Sequence, residues 1–412
     1  MLQKMRFWVL ITVLLAALGM RAECATPVPE NSMLPDTLRV SLITCNPGPE
    51  VYQLFGHTAM RVQRSGADGF DMVFNYGVFS FSDDFVFKFT QGHTDYVLAV
   101  YDFKYFLTDY VMRGSSVYEQ ELNLTHAERE LLFDALCINA RAENRVYRYN
   151  FLYDNCATRP RDKVEEALAV AGEHIVYADS DTLYTFRELI RHYAANYPWL
   201  TFGIYMALGR DLDQTATWRE HMFVPLLLQK ACNEAVVIGN DNMQERQLVR
   251  ATTELYHSDE NPVLPPTPWY MTPMMCALLL LAVTLLINLR DMRTHRLSRW
   301  YDTVLGAIMF LCGLIIYFLV ICSEHPATSF NLHAMWLTPL AIVPAVLPYI
   351  RKAMPVVRWY HIVNMALLLL FVVLVVCGVQ CIDHAVWPLI AVSALRSFNF
   401  IYYYKVNTRH NE

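Results

Sequence analysis

The chain has 412 residues, 55% of them hydrophobic and 17% charged, which is too apolar for one ordinary soluble domain. A net charge of -6 without any basic stripe excludes a nucleic-acid binder and names no other partner. The apolar residues concentrate from about Tyr270 onward, in long uncharged runs between short basic loops, behind a front part of mixed composition large enough for one well-buried core.

Residues 1–25 read as a signal peptide or signal anchor. Lys4 and Arg6 precede the apolar run Phe7 to Met20, and small residues follow near Ala22 to Ala25. Arg21 and Glu23 make a poor cleavage site, and left uncut the segment is a further membrane helix of the same orientation. Cys24 is not preceded by a lipidation box.

An extracytoplasmic domain is expected over 37–262. After the prolines at 27, 29 and 35, Leu38, Val40 and Leu42 alternate with polar residues as in a strand. A Pro47-Gly48 turn leads to a second strand starting near His57. The turn Ser65 to Gly69 then leads to a third, Phe70 to Tyr76, pairing with the second as a hairpin. On the third strand Asp71, Val73 and Asn75 share one face. Shorter strands are expected at Tyr96–Tyr101 and Ser116–Leu122. Thr125 and Glu128 form a capping box for a helix running toward Ala142. Tyr147 to Asp162 is a loop entering another helix, with Asp154 or Asn155 as cap and Pro160 in the first turn, so Cys156 lies at or one residue into a helix N-terminus. Pro198 to Met206 is apolar and reads either as a bilayer contact or as core. Residues 263–268 form a stiff proline-rich linker.

Five runs within 269–404 are long enough, or nearly so, for a bilayer crossing of about 20 residues: Trp269–Leu289, Thr303–Cys322, Ala334–Ile350, His361–Val379 and Ala385–Tyr404. Arg290, Arg293, Arg296 and Arg299 lie in the first loop, Arg351, Lys352 and Arg358 in the third, and Lys405 and Arg409 at the tail; the second and fourth loops carry no Lys or Arg. Positive charge on the cytoplasmic side then puts the front domain outside and the C-terminus inside, as the signal segment independently requires. Arg396 interrupts the fifth run, where a charge must face protein, water or headgroups. It is a candidate lipid-phosphate contact or an interhelical polar contact.

The chemistry rests on a thiol and an imidazole. A cysteine at a helix N-terminus is biased toward thiolate, and a neighbouring histidine can take its proton. Cys156 and His57 suit these roles, with Asn75 on the adjacent strand holding the imidazole and Asp71 as its substitute. His93, in Gly92-His-Thr, repeats the wording of Gly56-His-Thr and is a rival base. The opposing interpretation is a structural cysteine, with a disulfide available among Cys45, Cys137 and Cys232. No zinc spacing and no glycine-rich phosphate loop occurs, so neither metal nor cofactor is expected.

Thr44-Cys-Asn-Pro-Gly, Phe55-Gly-His-Thr-Ala, Phe74-Asn-Tyr-Gly and Asp154-Asn-Cys-Ala-Thr-Arg resemble the periplasmic domain of the Lnb-type lipoprotein N-acyltransferases, and the apolar tail resembles that family's membrane domain. The order of His first and Cys later at a helix start also resembles the circularly permuted papain-like fold of lecithin:retinol acyltransferase and NlpC/P60 relatives. The resemblance implies an α+β, permuted papain-like periplasmic domain followed by an all-α five-helix transmembrane domain in the bacterial inner membrane. It makes Cys156 the nucleophile and His57 its base; Asn75 follows from strand position, and N–H groups at the helix start near Asn155 would hold the oxyanion. The acyl donor would be a membrane phospholipid and the acceptor a diacylglyceryl lipoprotein. A papain-like hydrolase of peptidoglycan and a non-catalytic membrane receptor or assembly module are the alternatives.

Overall fold

The computed structural model describes residues 38–66, 69–79, 84–179, 182–239, 245–259 and 266–409. The expected signal segment, Cys24, the early prolines, the tip of the Ser65–Gly69 turn and the start of the linker lie outside them. The described chain forms two compact units.

The first unit is built on a seven-stranded antiparallel sheet. Its strands are β1 (Leu38–Cys45), β2 (His57–Arg64), β3 (Phe70–Val78), β4 (Asp95–Asp102), β5 (Val117–Leu122), β6 (Val146–Arg148) and, after the small sheet formed by β7 (Glu173–Val176), β8 (Val236–Gly239) and β9 (Glu245–Gln247), the edge strand β10 (Val249–Tyr256). The order is β10-β5-β1-β2-β3-β4-β6. Both faces are covered. Ile43, Cys45, Ala59 and Val73 pack under Phe103, Phe106 and Tyr110 of helix Phe103–Met112. Phe70 and Phe74 meet Phe133 of helix His126–Ala140 on the other face. The expected capping box starts that second helix: Thr125 N–H donates to Glu128 Oε2 at 2.9 Å, and Glu128 N–H returns to Thr125 Oγ1 at 3.4 Å. Alternation therefore fixes which face each strand residue joins, and His57, two residues from Ala59, falls under the aromatic helix.

The second unit comprises residues 84–94, 182–221 and 266–409 of the described chain, so two stretches inside the range 37–262 cluster with the helical part. Four segments are long and apolar enough to cross a membrane: Pro273–Thr294, Arg299–Cys322, Leu332–Tyr349 and Arg351–Val376. The third is not one continuous helix. It runs as short turns, Leu332–Met335, Pro339–Ala341, Ile342–Val346 and Leu347–Tyr349, because Pro339, Pro344 and Pro348 each remove a backbone donor. Helix Arg299–Cys322 lies tight against these turns; a side chain at Gly313 would start 2.7 Å from the Thr338 carbonyl carbon. The fifth expected span lies in the 24-residue helix Val386–Arg409, which is outside the four, since Ser393, Arg396, Ser397 and Asn399 interrupt its apolar character. Pro198–Ala207 forms a helix whose Phe202 and Met206 pack on the core of this unit, alongside Met309, Trp336 and Phe371.

Candidate active site

β2 opens at His57 from a turn only glycine can make. Gly56 has φ +76°, and a side chain there would begin 2.5 Å from the Cys45 carbonyl oxygen. Cys45 on β1 is the Cα partner of His57 across the ladder. On the other side β3 carries an irregularity between Asn75 and Val78, with Gly77 at φ +85°. Such a bulge re-aims side chains at the end of a strand. Here it brings the Asn75 carboxamide onto the imidazole: His57 Nε2 lies 2.6 Å from Asn75 Oδ1. An amide oxygen can only accept, so Nε2 carries a hydrogen and Nδ1 is left as the nitrogen that can exchange a proton. Asn75 is oriented in turn, its Nδ2 donating to the Tyr101 hydroxyl at 2.9 Å. Burial pushes Tyr101 up to about 12, so it stays a neutral phenol. Stacking on Tyr110 (ring centroids 6.2 Å, planes 15° apart) fixes the plane of the His57 ring.

Cys156 comes from the loop before helix Thr158–Val170. Asn155 is the cap: its Oδ1 accepts from the N–H of Ala157 at 2.8 Å and of Thr158 at 3.0 Å, and its carbonyl accepts from Arg159 N–H at 3.2 Å. Helical hydrogen bonding thus begins at Asn155 and Cys156 holds the first position, although the regular helix starts two residues later. The Asn155 amide donates to the carbonyls of Phe151 (2.8 Å) and Phe223 (2.9 Å), and its own N–H goes to Thr158 Oγ1 (2.8 Å). Its donors are all engaged, so its part is to build the turn rather than to meet a ligand.

His57 and Cys156 are half-buried neighbours: a side chain at Gly77 would begin 3.4 Å from Cys156 Cβ and 4.0 Å from His57 Cε1. Burial works against charge on both, but the interaction overrides it. The Cys156 thiol is held below the ordinary thiol range by the His57 charge, the hydrogen bond from His57 and the backbone N–H groups of Thr58 and Cys156. The His57 imidazole, likewise opposed by burial, is raised by the Cys156 charge and by hydrogen bonds to Cys156 and Asn75. Cys45 is the contrast: burial pushes its thiol well above the ordinary range. Cys45 and Cys232 are both buried, unbridged thiols.

The remaining candidates go elsewhere. Asp71 gives both carboxylate oxygens to Arg61, at 2.8 and 2.6 Å, and is not the third member of the site. It shares a strand face with Asn75, but Arg61 on β2 lies between it and the imidazole end of the hairpin. His93 follows the helix Phe85–Gln91 and pairs with Glu324 at 3.0 Å, not with a cysteine. Arg396, only 4% exposed, joins three helices. Its Nε and Nη2 meet Asp302 at 2.7 and 2.9 Å, and its Nη1 meets Asn288 at 2.5 Å and Asp291 at 3.1 Å. Every guanidinium nitrogen has a protein acceptor, the geometry of an interhelical clamp. No cluster able to hold a metal ion occurs among the described residues.

Two family models match this chain. The Lnb N-terminal periplasmic domain matches residues 25–206, and the Lnb transmembrane domain matches residues 266–407. No curated protein and no solved structure matches it.

Proposed function

The chain belongs to the Lnb family of lipoprotein N-acyltransferases, and from that premise we propose that Cys156 carries an acyl chain from a membrane phospholipid to the N-terminal amine of a diacylglyceryl lipoprotein. At the level the family gives, this is a multi-pass inner-membrane protein with a sheet-rich α+β periplasmic domain, a helical membrane domain, and lipids and lipoproteins as partners. The observation that carries the finer reading is geometric: Cys156 at a helix start and His57 meet at Gly77, and Asn75 holds the imidazole by its Nε2 at 2.6 Å; the lowered thiol and raised imidazole agree with it.

The Cys156 thiolate attacks the ester carbonyl of the phospholipid, forming an S–C bond and a tetrahedral oxyanion that backbone N–H groups at the helix start stabilise. The C–O bond to glycerol breaks, and the departing oxygen takes a proton from the His57 imidazolium, releasing lysophospholipid. The α-amine of the acceptor then attacks the thioester; the N–C bond forms, the C–S bond breaks, and His57 Nδ1 takes the amine proton as the thiolate returns. A thioester is higher in energy than the amide it becomes, so the exchange needs no nucleotide or acyl-CoA.

The order of His57 before Cys156, with an antiparallel sheet supplying the base and a helix start the thiol, supports a permuted papain-like arrangement for 37–262. The remaining assignments are a signal segment at 1–25, a linker at 263–268 and five crossings within 269–404. With positive loops inside, they put the C-terminus in the cytoplasm.

The test is expression in a host lacking its own lipoprotein N-acylation, with mass spectrometry of a reporter lipoprotein's N-terminal peptide. Wild type adds one acyl chain and Cys156→Ala at matched level adds none. A wild type that is stable in the membrane and adds nothing contradicts the reading and favours a hydrolase.

A further inference from the structure

Residues 84–94 connect β3, which carries Asn75, to β4, which carries Tyr101, yet they belong to the second unit, with the helices long enough to cross a membrane. They contain the short helix Phe85–Gln91, whose end is pressed against the segment following the span Arg299–Cys322. Glu324 N–H donates to the Gln91 carbonyl at 2.9 Å, and His325 Nε2 lies 2.7 Å from the Phe89 carbonyl oxygen. Gly92, at φ +76°, permits the fit: a side chain there would begin 3.1 Å from the His325 backbone nitrogen.

Phe87 meets the span itself. Its ring centroid lies 5.9 Å from that of Phe318, about one turn before the end of the helix. Phe318 falls within the stripe Leu311, Leu314, Ile315 and Ile321, which are spaced as one helix face and are all exposed. On a membrane span such an exposed apolar stripe is the face turned to lipid, so the short helix lies on the lipid-facing side of the span. Phe89 points away from Phe87, since positions two apart do not share a helix face, and yet Phe87 is 57% and Phe89 42% exposed. A helix in water hides its apolar face against protein; apolar rings left exposed on opposite sides call for an apolar medium. The helix has one charged residue, Lys88, and it pairs with Asp84 at 2.7 Å, so no unpaired charge enters with it.

We infer that helix Phe85–Gln91 lies within the lipid layer without crossing it, with Phe87 and Phe89 among the acyl chains of one phospholipid leaflet. Seven residues are too few to span a bilayer, so the helix rests at its edge, where aromatic rings gather. The partner is phospholipid and not a second copy of this chain, because Phe87 is continuous through Phe318 with a stripe that lipid already covers. The inference needs only the membrane crossing of the second unit and stands whether or not Cys156 transfers an acyl chain. Its consequence for the site is one of connectivity. β3 and β4, whose Asn75 and Tyr101 hold the His57 imidazole in line, are joined through a segment anchored in lipid.

The experiment uses the full-length chain in vesicles of phosphatidylethanolamine and phosphatidylglycerol. A photo-crosslinking benzophenone amino acid replaces Phe87, Phe89, Ile315 or Val170 in turn, and adducts are identified by mass spectrometry. Ile315, 60% exposed on the span, is the reference for lipid, and Val170, 74% exposed at the end of helix Thr158–Val170, is the reference for water. Positions 87 and 89 are expected to give phospholipid adducts as position 315 does, with none at position 170. In a second measurement, Phe87→Trp is expected to add fluorescence that brominated acyl chains quench, whereas the fluorescence added by Val170→Trp is unaffected. Adducts at 315 but not at 87 and 89 overturn the inference. So do crosslinks from 87 to another copy of the chain, equal lipid labelling at 170, or an unquenched Phe87→Trp.

Discussion

The Cys156 site and the Arg396 cluster are both polar groups embedded in apolar surroundings, and both centre on a residue that stands out in the sequence. They differ in what is left unspent. Around Arg396 each nitrogen has its acceptor, and Asp291 is further tied to Ser298, whose N–H donates to Oδ2 at 3.1 Å. At the thiol site the hydrogen bonds run in a line, Tyr101 to Asn75 to His57, and end on a nucleophile. A saturated network gains from holding still, whereas a chain that ends on a reactive atom gains from what it can bind next.

That contrast can be broken most forcefully at His57. His57→Ala is expected to cut acyl transfer about 1000-fold, within the range for a positioned general base. It should also move the alkylation profile of Cys156. In wild type the thiol is held low and the imidazole high, so the thiolate–imidazolium pair exists above the lowered Cys156 value and below the raised His57 value. Reactivity then persists below the ordinary thiol range and is lost only as pH falls through the lowered value. Without His57, Cys156 should react only at higher pH, and an unchanged profile would remove the ion pair from the account. Arg396→Met comes next. Leaving Asp302 and Asp291 without their partner is expected to cost about 3–5 kcal/mol, read as a lower yield of folded protein, with transfer per folded molecule unchanged. Full yield with lost activity would instead make Arg396 a substrate contact. The smallest effect is at Asn75. Asn75→Ala removes one orienting hydrogen bond and should lower transfer about tenfold, measured at saturating lipid.

Much of the site was legible because it depends on local rules. Strand alternation and hairpin pairing put Asn75 near His57, and the cap-forming residues before Pro160 put Cys156 at a helix start. What sequence logic missed was the choice among equals. Asp154 and Asn155 both read as caps; Asn155 won because its amide also satisfies the Phe223 carbonyl, from a segment 68 residues away. Asp71 and Asn75 are equivalent by face; the register separates them, placing Asp71 opposite Gln63 and beside Arg61 while Asn75 lies toward the His57 end. The repeated Gly-His-Thr wording does not make His93 a counterpart of His57, because Gly92 ends the helix Phe85–Gln91 whereas Gly56 leads into β2. Asp291 and Asp302, which complete the Arg396 clamp, flank the arginines of the first basic loop, and nothing in the sequence pairs them with a residue about 100 positions away. Helix Phe103–Met112, which supplies the aromatic wall behind His57, was equally hidden, because apolar residues on nearly every side blur its periodicity.

The central claim is that Cys156, and not the nearby Cys45, carries the acyl chain. Full-length protein incubated with phospholipid and no lipoprotein acceptor, then digested and analysed by mass spectrometry, tests it most directly. The account predicts an acyl adduct on the peptide containing Cys156, removed by neutral hydroxylamine and discharged on addition of acceptor, with Cys45 unmodified. Transfer that proceeds without such an adduct, or an adduct on Cys45, would contradict it.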